Sequence, residues 1–330
     1  MRALAALILA TVVAVGFVFS WIDRTKQQLH QPLVTTEQTL QVKPGTVLPR
    51  LLQDLAEQGW IEQAPDARIL ARLRPELTQL KAGTYAVPDT LLALLQTVVS
   101  GQSINYFFTI VPGWNLWQLQ AALQADARLQ QTLPGDVRQW HTAFDYPGLI
   151  EGRFLPDTYA FAPGASDHSV LKRAYDAMNS TLADAWRDRS SDQLKSPDEL
   201  LIMASIVEKE TAVASERALV AGVFEHRLQR KMRLQTDPTV IYGLLPEFDG
   251  NIRKRDLQAK TPYNTYVIRR LPPTPIAMPS QDSLNAAAQP ASTDYLYFVA
   301  DGEGGHAFGR TLAEHQANVR AYLKKRRANR

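Results

Sequence analysis

The sequence predicts an α+β protein with an N-terminal transmembrane helix, a small strand–helix–helix–strand unit and a larger, mostly helical unit. Three observations support this fold class. An uncharged apolar run opens the chain, a short segment alternates between strand and helix periodicity, and the second half contains amphipathic helices with one hairpin. The hydrophobic fraction of 45% is ordinary for a globular core, and the net charge is only +3, so no nucleic-acid partner is expected. The absence of cysteine excludes disulfides and cysteine nucleophiles.

The first element is an apolar run from Ala3 to Ile22 that contains no charged residue. A helix of this length spans about 30 Å, which is the thickness of the hydrocarbon core of a bilayer. A cleavable signal peptide is the alternative, but the residues around Phe17 to Trp21 are bulky for a cleavage site. We therefore predict a membrane anchor over residues 1–22 and a polar linker over residues 23–38.

A small unit is predicted over residues 39–100. Its elements are strands at 40–42 and 83–87 and helices at 47–58, 66–73 and 90–99. Leucines at helical spacing give the first of these helices one apolar face. Residues 101–149 form a connecting segment with a strand at 104–111, a helix at 114–123 and no readable pattern after residue 127.

The larger unit is predicted over residues 150–330. Its predicted helices are 169–184, 197–211, 216–229, 281–288 and 312–325. A strand at 295–299 and a return at 306–308 flank the glycine cluster at 302–305. Because no helix follows that cluster, we predict a tight hairpin and not a phosphate-binding loop.

One of these helices, 197–211, places a carboxyl group on its apolar face. Met203 and Ile206 recur on that face at helical spacing, and Glu210 is the next residue along it. Glu208 would lie about 160° away around the helix and point to water. Burial raises the pKa of a carboxyl group toward neutrality, so Glu210 is a candidate general acid. The alternative is a fraying helix end at which Glu210 bends out to solvent.

Polar segments of the larger unit combine hydroxyl, amide and aromatic groups at 235–239, 261–266 and 271–276. Such segments suit sugars, whose rings stack on aromatic side chains and whose hydroxyls need many hydrogen-bond partners; ordinary turns are the alternative. Glu151 is a rival acid, but its neighbours Gly152 and Arg153 indicate an exposed loop and an ionised carboxylate. The six histidines are scattered and form no metal-binding motif, so neither a metal nor a cofactor is expected.

Together these segments resemble the endolytic murein transglycosylases of the YceG-like (MltG) type over nearly the whole chain. The matching motifs are Glu-Gly-Arg-Phe-Leu-Pro-Asp-Thr-Tyr at 151–159, Ala-Ser-Ile-Val-Glu-Lys-Glu-Thr at 204–211, Arg-Leu-Gln-Thr-Asp-Pro-Thr-Val-Ile-Tyr-Gly at 233–243, Tyr-Asn-Thr-Tyr at 263–266, Leu-Pro-Pro at 271–273 and Tyr-Leu-Tyr-Phe-Val-Ala at 295–300. The resemblance implies that the catalytic residue is Glu210. It also implies a LysM-like peptidoglycan-binding subdomain at 39–100 and a catalytic domain at 150–330.

The lytic chemistry of this family implies a mechanism with a single carboxyl group. Protonated Glu210 would donate to the glycosidic oxygen between MurNAc and GlcNAc, and the C6 hydroxyl of MurNAc would close a 1,6-anhydro ring. A two-carboxylate glycosidase needs a second acid, for which Glu208, Asp237 and Glu216 are the open alternatives. The predicted substrate-binding residues are Gln235, Thr236, Asp237, Tyr263 and Asn264.

The resemblance also implies where the protein works and with what. The N-terminus is expected in the cytoplasm and the bulk of the chain in the periplasm, on the inner membrane. The expected partners are peptidoglycan glycan strands, the cytoplasmic membrane and peptidoglycan synthases, in a role that ends nascent strands. Two alternatives stay open: a non-catalytic wall-binding scaffold, and a hydrolytic lysozyme-like enzyme.

Overall fold

The computed structural model describes residues 2–328, with side chains from residue 8 onward. Helices and small two-stranded sheets are mixed along the chain, which confirms the predicted mixture of helix and strand. The chain divides into two compact units, Met1–Tyr106 with Phe161–Pro163, and Phe107–Ala160 with Gly164–Arg330. The domain boundaries drawn from the sequence stay a prediction.

The first unit contains the predicted strand–helix–helix–strand order. Its elements are α1 (Arg2–Leu29), β1 (Thr39–Val42), α2 (Leu48–Glu57), α3 (Ala67–Leu73), β2 (Gly83–Ala86) and α4 (Leu91–Ser100). Strands β1 and β2 pair antiparallel, with Leu40 opposite Tyr85. The leucines of α2 and α4 form the core beneath this sheet, and Tyr85 is fully buried among them.

Helix α1 continues through residues 23–29, which the sequence analysis assigned to the linker. The polar side chains there support the helix, because Gln27 donates to Asp23 Oδ2 at 3.0 Å and Thr25 donates to the Trp21 carbonyl at 2.9 Å. Among the described residues, the segment Ile8–Leu29 is long and apolar enough to cross a membrane by length and composition.

The remaining helices and strands follow in chain order. They are β3 (Tyr106–Thr109), α5 (Leu116–Ala125), β4 (Thr158–Phe161), α6 (Asp167–Arg187), α7 (Pro197–Glu210), α8 (Arg217–Gln229), α9 (Asp237–Gly243), α10 (Lys254–Gln258), α11 (Gln281–Ala288), β5 (Tyr297–Ala300), β6 (His306–Gly309) and α12 (Leu312–Ala328). The antiparallel pairing of β5 with β6 confirms the predicted hairpin. Helices α9 and α10 lie in segments where the sequence analysis predicted no helix.

Helix α7 forms the centre of the larger unit. It packs against α6, α8, α9 and α11, and every residue from Leu200 to Val207 is buried. A helix buried on all sides shows no sharp amphipathic pattern, so its functional face cannot be read from hydrophobicity alone. Its C-terminal turn ends at the wall of a cavity.

Candidate active site

Glu210 is the last residue of α7 and lies, half-buried, at the wall of a cavity of about 500 Å³. The hairpin β5–β6 provides most of the apolar lining of this cavity. Its polar lining is formed by Glu210, Arg227, Gln235, Asp237, Tyr266, His306 and His315. The cavity therefore brings together side chains that lie far apart along the chain.

The environment of Glu210 favours the protonated carboxyl group. Burial is the main cause that raises its pKa, and the negative charge of Asp237 adds to this effect. A hydrogen bond from Thr236 Oγ1 to Glu210 Oε1 lowers the pKa, as do the charges of His306 and Arg227, but these effects are smaller. The net shift of the Glu210 pKa is upward, as the sequence predicted, which favours a role as proton donor.

The segment 235–237 is brought to Glu210 by a buried threonine, Thr265. Thr265 Oγ1 accepts from the Thr236 backbone N–H at 3.0 Å, and its carbonyl accepts from Gln235 N–H at 3.2 Å. Asp237 accepts a hydrogen bond from the Tyr266 hydroxyl at 2.6 Å. Three predicted site residues thus lie beside Glu210: Gln235 and Asp237 line the cavity, and Thr236 contacts the carboxyl group directly.

Tyr263 and Asn264, which were predicted to bind substrate, are placed elsewhere. Asn264 is fully buried, and its Nδ2 donates to three backbone carbonyls between residues 256 and 259. Its Oδ1 accepts from Tyr266 N–H at 3.0 Å, so Asn264 shapes the loop that presents Tyr266. The Tyr263 ring lies 4.9 Å from the Tyr242 ring and its hydroxyl is hydrogen-bonded to Thr274. Neither residue lines the cavity.

The sequence interpretation of Glu151 as an exposed, ionised group is wrong. Its side chain is fully buried and accepts hydrogen bonds from Leu116 N–H at 3.1 Å, Gly152 N–H at 3.2 Å and the Tyr242 hydroxyl at 2.9 Å. Burial raises the pKa of Glu151 to about 7, although these three hydrogen bonds act to lower it. Glu151 does not line the cavity; it joins the N-terminus of α5 to α9.

Glu208 does not point to water, contrary to the prediction. Its Oε2 accepts from Ser280 N–H at 2.9 Å, Ser280 Oγ at 2.5 Å and Ser283 Oγ at 2.6 Å. These donors belong to the N-terminal turn of α11, where a negative charge also interacts favourably with the helix dipole. Because α11 packs against α7, the side opposite Glu210 is not a solvent face.

Sequence reasoning missed the cationic side of the cavity. Arg227 is only 7% exposed, donates to the Leu296 carbonyl at 2.6 Å and the Leu234 carbonyl at 2.7 Å, and lies over the Tyr297 ring at 5.2 Å. Its partners lie up to 69 residues away along the chain, so no local sequence motif indicates that Arg227 lines the cavity. Within residues 2–328 no group of three or more acidic or histidine side chains is suited to hold a metal ion.

Comparisons with known proteins identify relatives for most of the chain. The YceG-like family model matches residues 40–321. The endolytic murein transglycosylase of Bacillus subtilis strain 168 is 33% identical over 254 residues, which cover 70% of this chain and 69% of that protein. The endolytic murein transglycosylase of Streptococcus pneumoniae serotype 2 strain D39 is 33% identical over 180 residues, 53% of this chain and 32% of that protein. A crystal structure of a YceG-like protein from Listeria monocytogenes has a TM-score of 0.55 and 28% identity, covering 87% of this chain and 99% of that one.

Proposed function

This chain belongs to the YceG-like family, and from that premise we propose that it is a lytic transglycosylase that cuts peptidoglycan strands internally. The names of the Bacillus and Streptococcus relatives support this activity. The single observation that carries the proposal is the position of Glu210, whose carboxyl group has a raised pKa and lies at the wall of a cavity of about 500 Å³. A lytic reaction needs no second carboxyl group.

Glu210 acts as the general acid of the cleavage step. It gives its proton to the oxygen that leaves from C1 of MurNAc, and the C6 hydroxyl oxygen of the same sugar forms the new bond to C1. The hydroxyl proton is released to a base, which in the single-carboxyl scheme is the Glu210 carboxylate. The intramolecular attack benefits from proximity and consumes no water. The products are a 1,6-anhydroMurNAc end and a free GlcNAc hydroxyl.

Gln235 and Asp237 are proposed to contact the glycan, because both are exposed on the cavity wall next to the acid. Thr236 acts on the acid itself through its hydroxyl. Asn264 and Tyr263 are assigned a supporting role, since they hold the loop and ring cluster behind the cavity.

The first unit is proposed to be the wall-binding and anchoring part. Helix α1 would cross the inner membrane once, with the N-terminus in the cytoplasm and the catalytic region in the periplasm. The LysM-like character proposed for 39–100 is supported by the strand–helix–helix–strand order β1, α2, α3, β2 and the antiparallel pairing of its two strands. In this location the enzyme would meet newly made strands and peptidoglycan synthases, and would end strand elongation.

The test is the variant Glu210→Gln, which keeps the shape of the side chain but has no acidic proton. The wild type and the variant, both as the full chain in detergent, are incubated with purified sacculi, and the fragments are followed by mass spectrometry. The wild type is expected to release anhydro-muropeptides, and the variant to do so about 10² to 10⁴ times more slowly. Equal rates would remove Glu210 from the mechanism.

The same measurement separates the competing functions. A scaffold protein retains glycan strands and shortens none of them. A hydrolytic enzyme gives reducing MurNAc ends that incorporate oxygen from labelled water. Either of these outcomes for the wild type would contradict the proposed lytic activity.

A further inference from the structure

A histidine–carboxylate pair lies at the same cavity as Glu210. His306 is the first residue of β6 and lines the cavity. Its ring Nδ1 lies 2.7 Å from Glu216 Oε2, and its backbone N–H donates to Glu216 Oε1 at 2.9 Å. The Phe298 ring meets the His306 ring edge-to-face, with centroids 5.4 Å apart. The His306 ring is therefore held by Glu216 and Phe298, and the His306 backbone is held by Glu216.

The contact with Glu216 determines which ring nitrogen of His306 can accept a proton. Burial of the Glu216 carboxyl acts to raise its pKa, but the hydrogen bonds from His306 and Thr211 act in the opposite direction, and the pKa lies below its usual value. An ionised Glu216 holds the hydrogen on Nδ1 and leaves the lone pair on Nε2. Within residues 2–328 Nε2 has no hydrogen-bond partner and is not buried. A basic nitrogen is thus available to a molecule in the cavity.

The pair of His306 and Glu216 is also linked to Glu210 by the residue that follows Glu210 in the chain. Thr211 follows Glu210 directly, and its hydroxyl donates to Glu216 Oε2 at 3.4 Å. His306 and Glu210 both line the cavity. A proton donor and a proton acceptor therefore face one cavity.

We propose that His306 is the base that takes the proton of the C6 hydroxyl during the lytic step, and that Glu216 is the residue that positions it. This inference rests on the proposed function. It assigns the proton given to the leaving oxygen to Glu210 and the proton taken from the C6 hydroxyl to His306. The combination of an imidazole with a carboxylate on its far nitrogen is the arrangement that many enzymes use to create a general base.

The reaction balances with these two groups alone. The O6–H bond breaks and its proton moves to His306 Nε2, while the O6 electron pair forms the bond to C1. The bond between C1 and the leaving oxygen breaks, and that oxygen takes the proton of Glu210. The enzyme is left with a cationic His306 and an anionic Glu210, and exchange with water restores the starting protonation state. No oxidant, metal or additional reactant is required.

This division gives the reaction two groups that move protons, so a change at either of them is expected to lower kcat more than it alters KM. The charged and ionisable side chains around His306 are Glu210, Arg227, Asp237 and His315 in the shared cavity wall and Glu216 against its ring. A variant of His306 alone leaves these groups in place.

The test compares His306→Asn with the wild type. An asparagine amide is able to donate to Glu216 as Nδ1 does, but it cannot accept the hydroxyl proton. We expect kcat for anhydro-muropeptide release to fall about 10- to 100-fold, with KM changed by less than about threefold. The control is His141→Asn, which alters a histidine outside the cavity and should leave kcat and KM unchanged.

Glu216→Gln tests the positioning role without altering the imidazole. Its loss of activity is expected to be smaller than that of His306→Asn, and the double variant is expected to be no worse than His306→Asn alone, because the two residues act as one unit. A folded His306→Asn protein with wild-type kcat would overturn the inference, as would losses that multiply in the double variant. If those results accompany anhydro products that depend on Glu210, the proposed function stands and only the role of His306 fails. If the wild type makes no anhydro products, both fail.

Discussion

The Thr236 hydroxyl donates a hydrogen bond to Oε1 of Glu210. Thr236 is 2% exposed, and its own backbone is fixed by Thr265, so this donor has little freedom to turn away. A hydrogen bond to a carboxylate stabilises the charged form, and here it opposes the larger effect of burial on the pKa of Glu210. Thr236 therefore limits how far the pKa of the acid rises.

The variant Thr236→Val removes this hydroxyl with little change in shape. The pKa of Glu210 is then expected to rise further, because the lost hydrogen bond stabilises the carboxylate. The high-pH limb of kcat/KM should move to higher pH, because Glu210 then keeps its proton to higher pH. Thr236→Ser retains the donor and should keep the wild-type limb; equal profiles for both variants would show that the hydroxyl does not influence the acid.

Substitutions of Glu208 and Glu210 are expected to affect different properties. The change at Glu208 should lower stability, and the change at Glu210 should lower activity. Glu208→Gln removes the charge that three donors of the α11 N-terminus share, so the free energy of unfolding should fall by about 1 to 2 kcal/mol. Glu210→Gln removes a buried carboxyl group with a raised pKa, so it should leave stability equal or higher at pH 8 while abolishing cleavage. Denaturant unfolding and product release, measured on the same samples, check both.

A reversed result would change the assignment of the acid. If Glu208→Gln abolished cleavage in a stable protein and Glu210→Gln did not, Glu208 would be the proton donor. The chemistry of the two substitutions is identical, so each variant serves as the control of the other.

Features that depend on neighbouring residues could be predicted from the sequence. Helix α11 has the predicted bounds, Gln281–Ala288, because Ser280 caps it and an apolar face follows. The hairpin β5–β6 follows from its glycine cluster. In each case the residues that determine the feature are close to one another along the chain.

Features that depend on distant partners could not be predicted. Glu151 accepts a hydrogen bond from the Tyr242 hydroxyl, 91 residues away, and Glu208 accepts one from Ser280, 72 residues away. The pair of Glu216 and His306 spans 90 residues. A charged residue in a single sequence is assigned to the surface by default, and only the tertiary structure reveals a buried donor that reverses this assignment.

Glu151 should make the stability of the protein depend on pH. Its pKa is about 7 when folded and near 4.5 in the unfolded chain. A raised folded pKa means that the folded state binds the proton more tightly, so the stabilisation is present below pH 4.5 and is lost as the pH rises through 7. The loss from this group amounts to roughly 3 kcal/mol. Denaturant unfolding between pH 5 and pH 8 measures it.

The matched variant is Glu151→Gln, which imitates the protonated carboxyl group at every pH. Its stability relative to the wild type should increase from pH 5 to pH 8, so that the difference between the two proteins isolates Glu151 from other titrating groups. A constant difference across this range would mean that Glu151 titrates equally in the folded and unfolded states.

Gly222 is a position where adding a methyl group should destabilise the fold although it lies in a helix. A Cβ at Gly222 would lie 2.2 Å from the Ala291 carbonyl oxygen, which is closer than such atoms can approach. The segment at Ala291 is fixed to α8 by a backbone hydrogen bond to Ala218 at 2.9 Å, so it cannot move away freely. We expect Gly222→Ala to lower the free energy of unfolding by about 2 to 3 kcal/mol.

The control is Gly135→Ala, where no atom lies within 4 Å of the added Cβ, and its effect should stay within about 0.5 kcal/mol. In an open helix the same change at Gly222 would raise stability by about 1 kcal/mol, since alanine is the better helix former. The sign of the change therefore tests the packing directly. Displacing the segment after Ala291 also shifts the Leu296 carbonyl that accepts from Arg227, so folded Gly222→Ala protein should lose activity as well, whereas Gly135→Ala should not.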